Sequence, residues 1–211
     1  MTRTRRLKGP ATSLGIALCA VSAQALALPP PPYAVVDIGR SRIAMDASAI
    51  DEAGLQPTGH HRNATGFGIT LGWPFTKHLA AEGTFLELGE GKVDVATQGP
   101  PPVTNSRIGV QSYGMLLALA GTWPIHDRLS VEGRAGTYLG KSETRIRGST
   151  GGNLGYNRLL GSDSDFGLAV AVGVVAAFND TWALRAGYDY IDGAFGKNAG
   201  RISLGLRFNW P

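Results

Sequence analysis

Gly200-Arg-Ile-Ser-Leu-Gly-Leu-Arg-Phe-Asn-Trp210 is the stretch on which the reading of this 211-residue chain turns. Taken in twos, one face carries Ile202, Leu204, Leu206, Phe208 and Trp210. The other carries Arg201, Ser203, Gly205, Arg207 and Asn209. No position breaks the alternation, so the stretch predicts a strand with one apolar and one polar face. In water such a strand is an exposed edge, open to pairing with other chains. In a closed membrane barrel it is the strand that pairs with the first and removes the edge.

The other end of the chain gives the compartment. Arg3, Arg5, Arg6 and Lys8 precede an apolar run from Ala11 to Ala23, too short to cross a bilayer as a helix. Ala23-Gln-Ala25 and Ala25-Leu-Ala27 are small-residue cleavage patterns, so residues 1–27 read as a secretory leader cut after Ala25 or Ala27. The single cysteine, Cys19, lies in that leader behind Leu18, so the mature protein is expected to have no thiol chemistry. The formal charge of +4 is also a property of the leader. Without its four basic residues, 16 basic residues face 16 acidic ones, and no basic stripe for nucleic acid remains. No later stretch is long and apolar enough for a transmembrane helix.

From Pro29 to Trp210 the pattern is strand after strand. The spacing predicts strands near Tyr33–Arg40, Thr65–Trp73, Leu79–Leu88, Val110–Trp123, Leu129–Leu139, Asp165–Phe178 and Trp182–Tyr190, then the closing one. Pro74 and Pro124 are expected to stop the strands that they follow. The segments to Asn63, from Gly89 to Ser106 and from Gly140 to Asp163 are polar or rich in Gly and Pro, and read as long loops. Long connections follow the odd strands and short turns the even ones, which puts each kind on its own rim.

Trp73-Pro74, Leu79, Glu82 and Gly83 recur as Trp123-Pro124, Leu129, Glu132 and Gly133. Large aromatics therefore stand at each short turn. Trp73, Trp123, Phe178, Trp182, Phe208 and Trp210 form the expected interfacial girdle at that rim.

The two faces differ in kind. One is Leu, Val, Ile and aromatics; the other is Gly, Ala, Ser and Thr with a few charges. Charged residues are only 17% of the chain, and a water-facing exterior of Gly and Ala is implausible. The apolar face is therefore outward, toward lipid, and the small residues fill a narrow lumen. The fold class is all-β, an eight-stranded antiparallel up-and-down transmembrane barrel over residues 28–211. Parity turns Asp37, Glu82, Glu132 and Asp189 inward with Arg134, Arg185, Arg201 and Arg207. Four charges of each sign are expected to pair into a structural plug rather than line a path.

The leader, the eight alternating strands, the Leu-x-x-Glu-Gly hairpin starts and the closing strand together resemble the OmpA-like and opacity-type outer-membrane β-barrel proteins. Ser203, Gly205, Phe208 and Trp210 resemble the terminal signal read by the barrel-assembly machinery. The resemblance implies a Gram-negative outer membrane, with long loops extracellular, both termini periplasmic, and outer-membrane lipids and lipopolysaccharide as neighbours. The chain ends at Pro211, so the periplasmic peptidoglycan-binding domain of full-length OmpA is not expected, nor a wall-anchoring role.

Chemistry is weakly signalled. A lipid A hydrolase would need a histidine beside a serine at the outer rim. Only His60 and His61 are on that side, with Ser106, Ser142, Ser149, Ser162 or Ser164 as partners that no spacing demands. His78 and His126 belong to short turns. Metal binding by His60, His61 and Asp46 is equally unspecific. No catalytic residue, cofactor or metal is expected. The expected function is structural or surface-interacting, through loops whose ligand the residues do not name. A small-solute or hydrophobic-compound channel is the alternative, and a lipid A-modifying enzyme a third reading.

Overall fold

The computed structural model describes residues 30–43, 55–61, 63–97, 106–150, 154–192 and 198–210; the expected leader and parts of the expected loops lie outside them. Among the described residues there are nine strands and no helix: β1 (Tyr33–Ile43), β2 (Leu55–His61), β3 (Asn63–Pro74), β4 (Leu79–Thr97), β5 (Ser106–His126), β6 (Leu129–Thr150), β7 (Leu154–Ala177), β8 (Trp182–Asp192) and β9 (Asn198–Asn209). All pairings are antiparallel. β1 pairs with both β3 and β9, and neighbour-to-neighbour pairing continues through β8, β7, β6, β5 and β4 back to β3. The sheet thus closes into a barrel of eight staves, while β2 rides on the far end of β4. Closure leaves no open edge where a bilayer could not hydrogen-bond the backbone.

Burial follows the two-residue period. β3 alternates exposed and buried over all twelve of its residues. Val36, Ile38, Leu71, Leu119, Phe166, Val172 and Ile202 point outward and are each more than half exposed. A continuous apolar band of this kind is untenable in water and matches lipid. β1, weakly patterned in sequence, is resolved by the barrel: Tyr33 and Val35 are buried inside, while Val36 and Ile38 face out.

The segments expected as long loops are in large part strand. β4 to β7 run for 19, 21, 22 and 24 residues, against 11 or 12 for β1, β3, β8 and β9. About 9–11 residues suffice to cross, so the excess rises as a wall from the long-connection rim, roughly 30 Å along the strand. Its sequence hides it because the outward face past the band turns polar, with Glu90, Lys92, Lys141 and Glu143, so there is no apolar face to alternate. At Gly89 a bulge adds to this. Gly89 has φ 84°, and the register with β5 shifts between Glu87 and Gly89. That single left-handed residue reverses the parity: Leu88 before it points in with Leu86, and Glu90 after it pairs level with the outward Gln111. Pro124 does not end its strand: β5 continues to His126, with a register shift between those two residues where proline offers no N–H.

Candidate functional site

Wherever a strand carries a charge on its small-residue face, closure brings that charge to the lumen axis. Glu82 from β4, Glu132 and Arg134 from β6, Arg185 and Asp189 from β8, Arg201 and Arg207 from β9, and Asp37 from β1 meet there. Arg134 reaches Asp189 at 2.7 Å, Glu132 at 3.4 Å and Glu82 at 3.5 Å. Arg185 holds both oxygens of Glu82 at 3.1 Å and also pairs with Glu132. Arg201 pairs with Asp37 and lies 3.5 Å from Asp189. Arg207 makes the loosest link, 4.0 Å from Glu132. All eight side chains are joined. Glu132 and Arg201 are each only 2% exposed, so little water could screen the charges.

Burying eight charges is costly, and the balance of four against four is what makes it tolerable. The arrangement also defends the register. A one-residue slip turns a whole strand inside out, and an arginine facing mid-bilayer costs about 2–4 kcal/mol.

Above this charged layer, toward the long-connection rim, the lumen is apolar. Leu86 and Leu88 of β4, Leu116 of β5, Tyr138 of β6 and Ile191 of β8 pack together with Ala118, Ala169 and Ala199. Leu88, Tyr138 and Ile191 are fully buried, at 0%. The Tyr138 hydroxyl shares a 3.0 Å hydrogen bond with Ser112, so its polar end is also satisfied. The sequence reading passed over this layer. Its signal was present: Leu86 and Leu88 share the parity of Glu82, and Leu116 that of Ala118. The lumen is therefore plugged twice, by ion pairs below and by a leucine-rich stopper above.

Outside, the top of the apolar band is marked by polar groups. Gln111 donates to Glu87 at 2.8 Å, the Tyr113 hydroxyl donates to Glu143 at 3.1 Å, and Arg145 donates to Glu143 at 2.8 Å. These bonds tie β4, β5 and β6 together where the wall leaves the band. Hydrogen bonds from Arg145 and from Tyr113 hold the Glu143 carboxyl below the usual glutamate range. His60 and His61 lie on β2 opposite Val93 and Lys92, while Ser142 of β6 is buried in the lumen. Among the described residues no three metal-ligating side chains cluster.

The closing strand meets β1 along Tyr33–Ile43, and the Trp210 amide donates to the Pro32 carbonyl at 2.9 Å. Phe208 sits between Trp182, at 4.9 Å, and Trp210, at 5.4 Å. Trp73, Trp123, Phe178, Trp182 and Trp210 are all exposed on the outer face at the short-turn rim. Ser203 stands opposite Gly39 of β1 and Gly187 of β8. Gly205 is buried beside Asp37; a methyl group there would come within 2.6 Å of the Asp37 Cβ and 2.8 Å of the Val36 carbonyl oxygen.

Solved structures share this architecture at low identity. Ail, the attachment invasion locus protein of Yersinia pestis, solved with the heparin analogue sucrose octasulfate, is 16% identical, with a TM-score of 0.51 over 86% of this chain and 99% of Ail. The N-terminal β-barrel domain of Pseudomonas aeruginosa OprF is 12% identical, with a TM-score of 0.50 over 86% of this chain and 99% of that domain. Neisserial surface protein A is 18% identical, with a TM-score of 0.49 over 85% of this chain and 97% of its own. No curated protein sequence matches. The family model for the outer membrane protein beta-barrel domain matches residues 11–208. Together with the closed eight-stave barrel and its outward apolar band, that match of nearly the whole chain makes this protein a member of the outer membrane protein β-barrel family.

Proposed function

We propose that this barrel is a non-enzymatic surface-interaction protein of a Gram-negative outer membrane, with the strand wall and long loops outside and both termini in the periplasm. The observation that carries the reading is a doubly plugged lumen beneath a wall that extends well past the apolar band. A sealed lumen supports no solute path. A wall of strands, by contrast, lifts the connections after β4 and β6 clear of the lipid headgroups, where they can meet a ligand. Outer-membrane lipid and lipopolysaccharide surround the band. The closing strand, through Ser203, Gly205, Phe208 and Trp210, is the part the barrel-assembly machinery would read.

The test is planar-bilayer conductance of the refolded barrel, paired with labelling of whole cells. A cysteine introduced near residue 152 should react with an impermeant reagent on intact cells, and one near residue 77 should not. Steady single-channel currents in the wild type would favour the channel reading instead. An acyl pattern of lipid A that changes with the protein, and reverts with His60→Ala, would favour an enzyme.

A further inference from the structure

On the low side of the rim two cations stand without partners. Arg40 and Arg42 continue the outward face of β1 just beyond Val36 and Ile38, and both are exposed. Among the described residues neither side chain has a hydrogen bond, ion pair or ring contact. The other outward cations near this level are engaged: Lys92 with Glu90, and Lys141 and Arg145 with Glu143. Guanidiniums at the edge of a lipid-facing band lie at headgroup level, where they attract anionic groups.

What lies around them suits a lipid. Directly below, the outer wall of β8, β9, β1 and β3 forms a groove of about 590 Å³ whose apolar lining includes Val36, Ile38, Phe67, Leu184, Leu204 and Leu206. Beside them, Gly200 of β9 is the cross-strand partner of Arg42, and the Tyr188 hydroxyl lies over it, 2.6 Å from where a Cβ would be. A side chain at 200 would fill the space between the tyrosine and the arginines. Above, among the described residues, β1 ends at Ile43, β8 at Asp192, and β9 begins at Asn198, so these strands do not rise past the band as β4 to β7 do.

We infer that a phosphorylated glycolipid of the lipid A type binds here, with its phosphate on Arg40 and Arg42, its sugar against Tyr188, and an acyl chain in the groove. Guanidinium forks match phosphate oxygens, and tyrosine is at home at the headgroup level. The assignment of an outer-leaflet lipid rests on the orientation proposed above.

The test is native mass spectrometry of the purified barrel, released from nanodiscs that contain phosphatidylcholine with bisphosphorylated lipid A, dephosphorylated lipid A or phosphatidylglycerol. Wild type should retain the bisphosphorylated form. The R40Q/R42Q variant should retain roughly tenfold less of it. A K141Q/R145Q variant, equal in charge removed, should match wild type. Heat-modifiable migration checks that each variant folds. Equal retention by R40Q/R42Q, or equal retention of dephosphorylated lipid A, overturns the site. Equal retention of phosphatidylglycerol overturns the glycolipid assignment, and competition by millimolar inorganic phosphate would make this a free-anion site. The purified barrel presents both rims, so retention tests the site however the protein sits in cells, and whole-cell labelling tests the orientation separately.

Discussion

The guanidinium carbon of Arg207 lies 3.5 Å from the centre of the Tyr33 ring, while the Tyr33 hydroxyl donates to Glu82 at 2.5 Å. Tyr33 opens the first stave and Arg207 stands on the last, so one side chain staples the seam from within and ties it to the charged layer. Tyr33→Phe keeps the ring and loses the bond to a carboxylate, and should cost about 1.5–3 kcal/mol. Tyr33→Leu should lose about 1 kcal/mol or more beyond that, with the cation–π contact. Urea unfolding in lipid vesicles measures both. Equal losses would mean that the ring contact contributes nothing.

Arg185 is the hub for two acids. Arg185→Met leaves Glu82 and Glu132 sharing Arg134 and a distant Arg207, and should destabilise by about 3–5 kcal/mol. Arg185→Met with Glu132→Gln should recover part of that loss, since one orphaned charge is gone. A double variant as unstable as the sum of the singles would show that the two groups do not interact.

The two lumen layers lie in series. Leu88→Ala with Leu116→Ala thins the apolar stopper and leaves the ion pairs; Glu132→Gln with Arg185→Met does the reverse. Neither pair of changes alone should produce steady bilayer currents, and their combination should. Currents from the leucine changes alone would mean that the charged layer is no barrier to ions.

Gly205 and the terminal aromatics should fail in different assays. Gly205→Ala pushes a methyl group onto the Asp37 Cβ and the Val36 carbonyl, so it should weaken the seam even when the barrel is refolded in pure lipid. Deleting Phe208 to Pro211 should lower insertion in cells more than refolding in vitro, because it removes what the assembly machinery would read. If Gly205→Ala refolds normally and fails only in cells, its role is recognition rather than clearance.

At Glu143 the lowered pKa gives a sign. A carboxyl whose folded value lies below its unfolded one stabilises above the unfolded value, and the benefit is lost as pH falls through the folded one. The bonds from Arg145 and Tyr113 should hold near neutrality and release on acidification below the usual glutamate range. NMR shifts of the Tyr113 ring in nanodiscs would follow this, and Glu143→Gln should abolish the change.

How much of this was readable follows from where water is. Inside the band every strand has lipid on one side and lumen on the other. Parity along single strands was therefore enough to turn Glu82, Arg134 and Arg185 inward and Trp73 and Trp123 outward. Beyond the band the outward face of the same strands meets water instead of lipid. Lys141-Ser-Glu-Thr-Arg145 then has no apolar face, and β6 looks like a loop. At Gly89 the alternation reverses in one step, which single-strand parity cannot carry across. The pairing of particular charges was unreadable for another reason: which arginine meets which acid depends on the stagger between strands, and no strand contains that by itself.

The ion pairs also span the chain in a way that constrains how it folds. Glu82 and Arg134 are 52 residues apart, Glu82 and Arg185 103, and Asp37 and Arg201 164. Contacts of such long separation form late, because the loop between them must be ordered first. A half-built barrel therefore carries several arginines and acids whose partners have not arrived, and those charges bar it from the bilayer centre. Entry into the membrane and closure of the ring are thus expected to be one event. The same late contacts, once made, must be lost before the ring can reopen, so the finished barrel should unfold slowly.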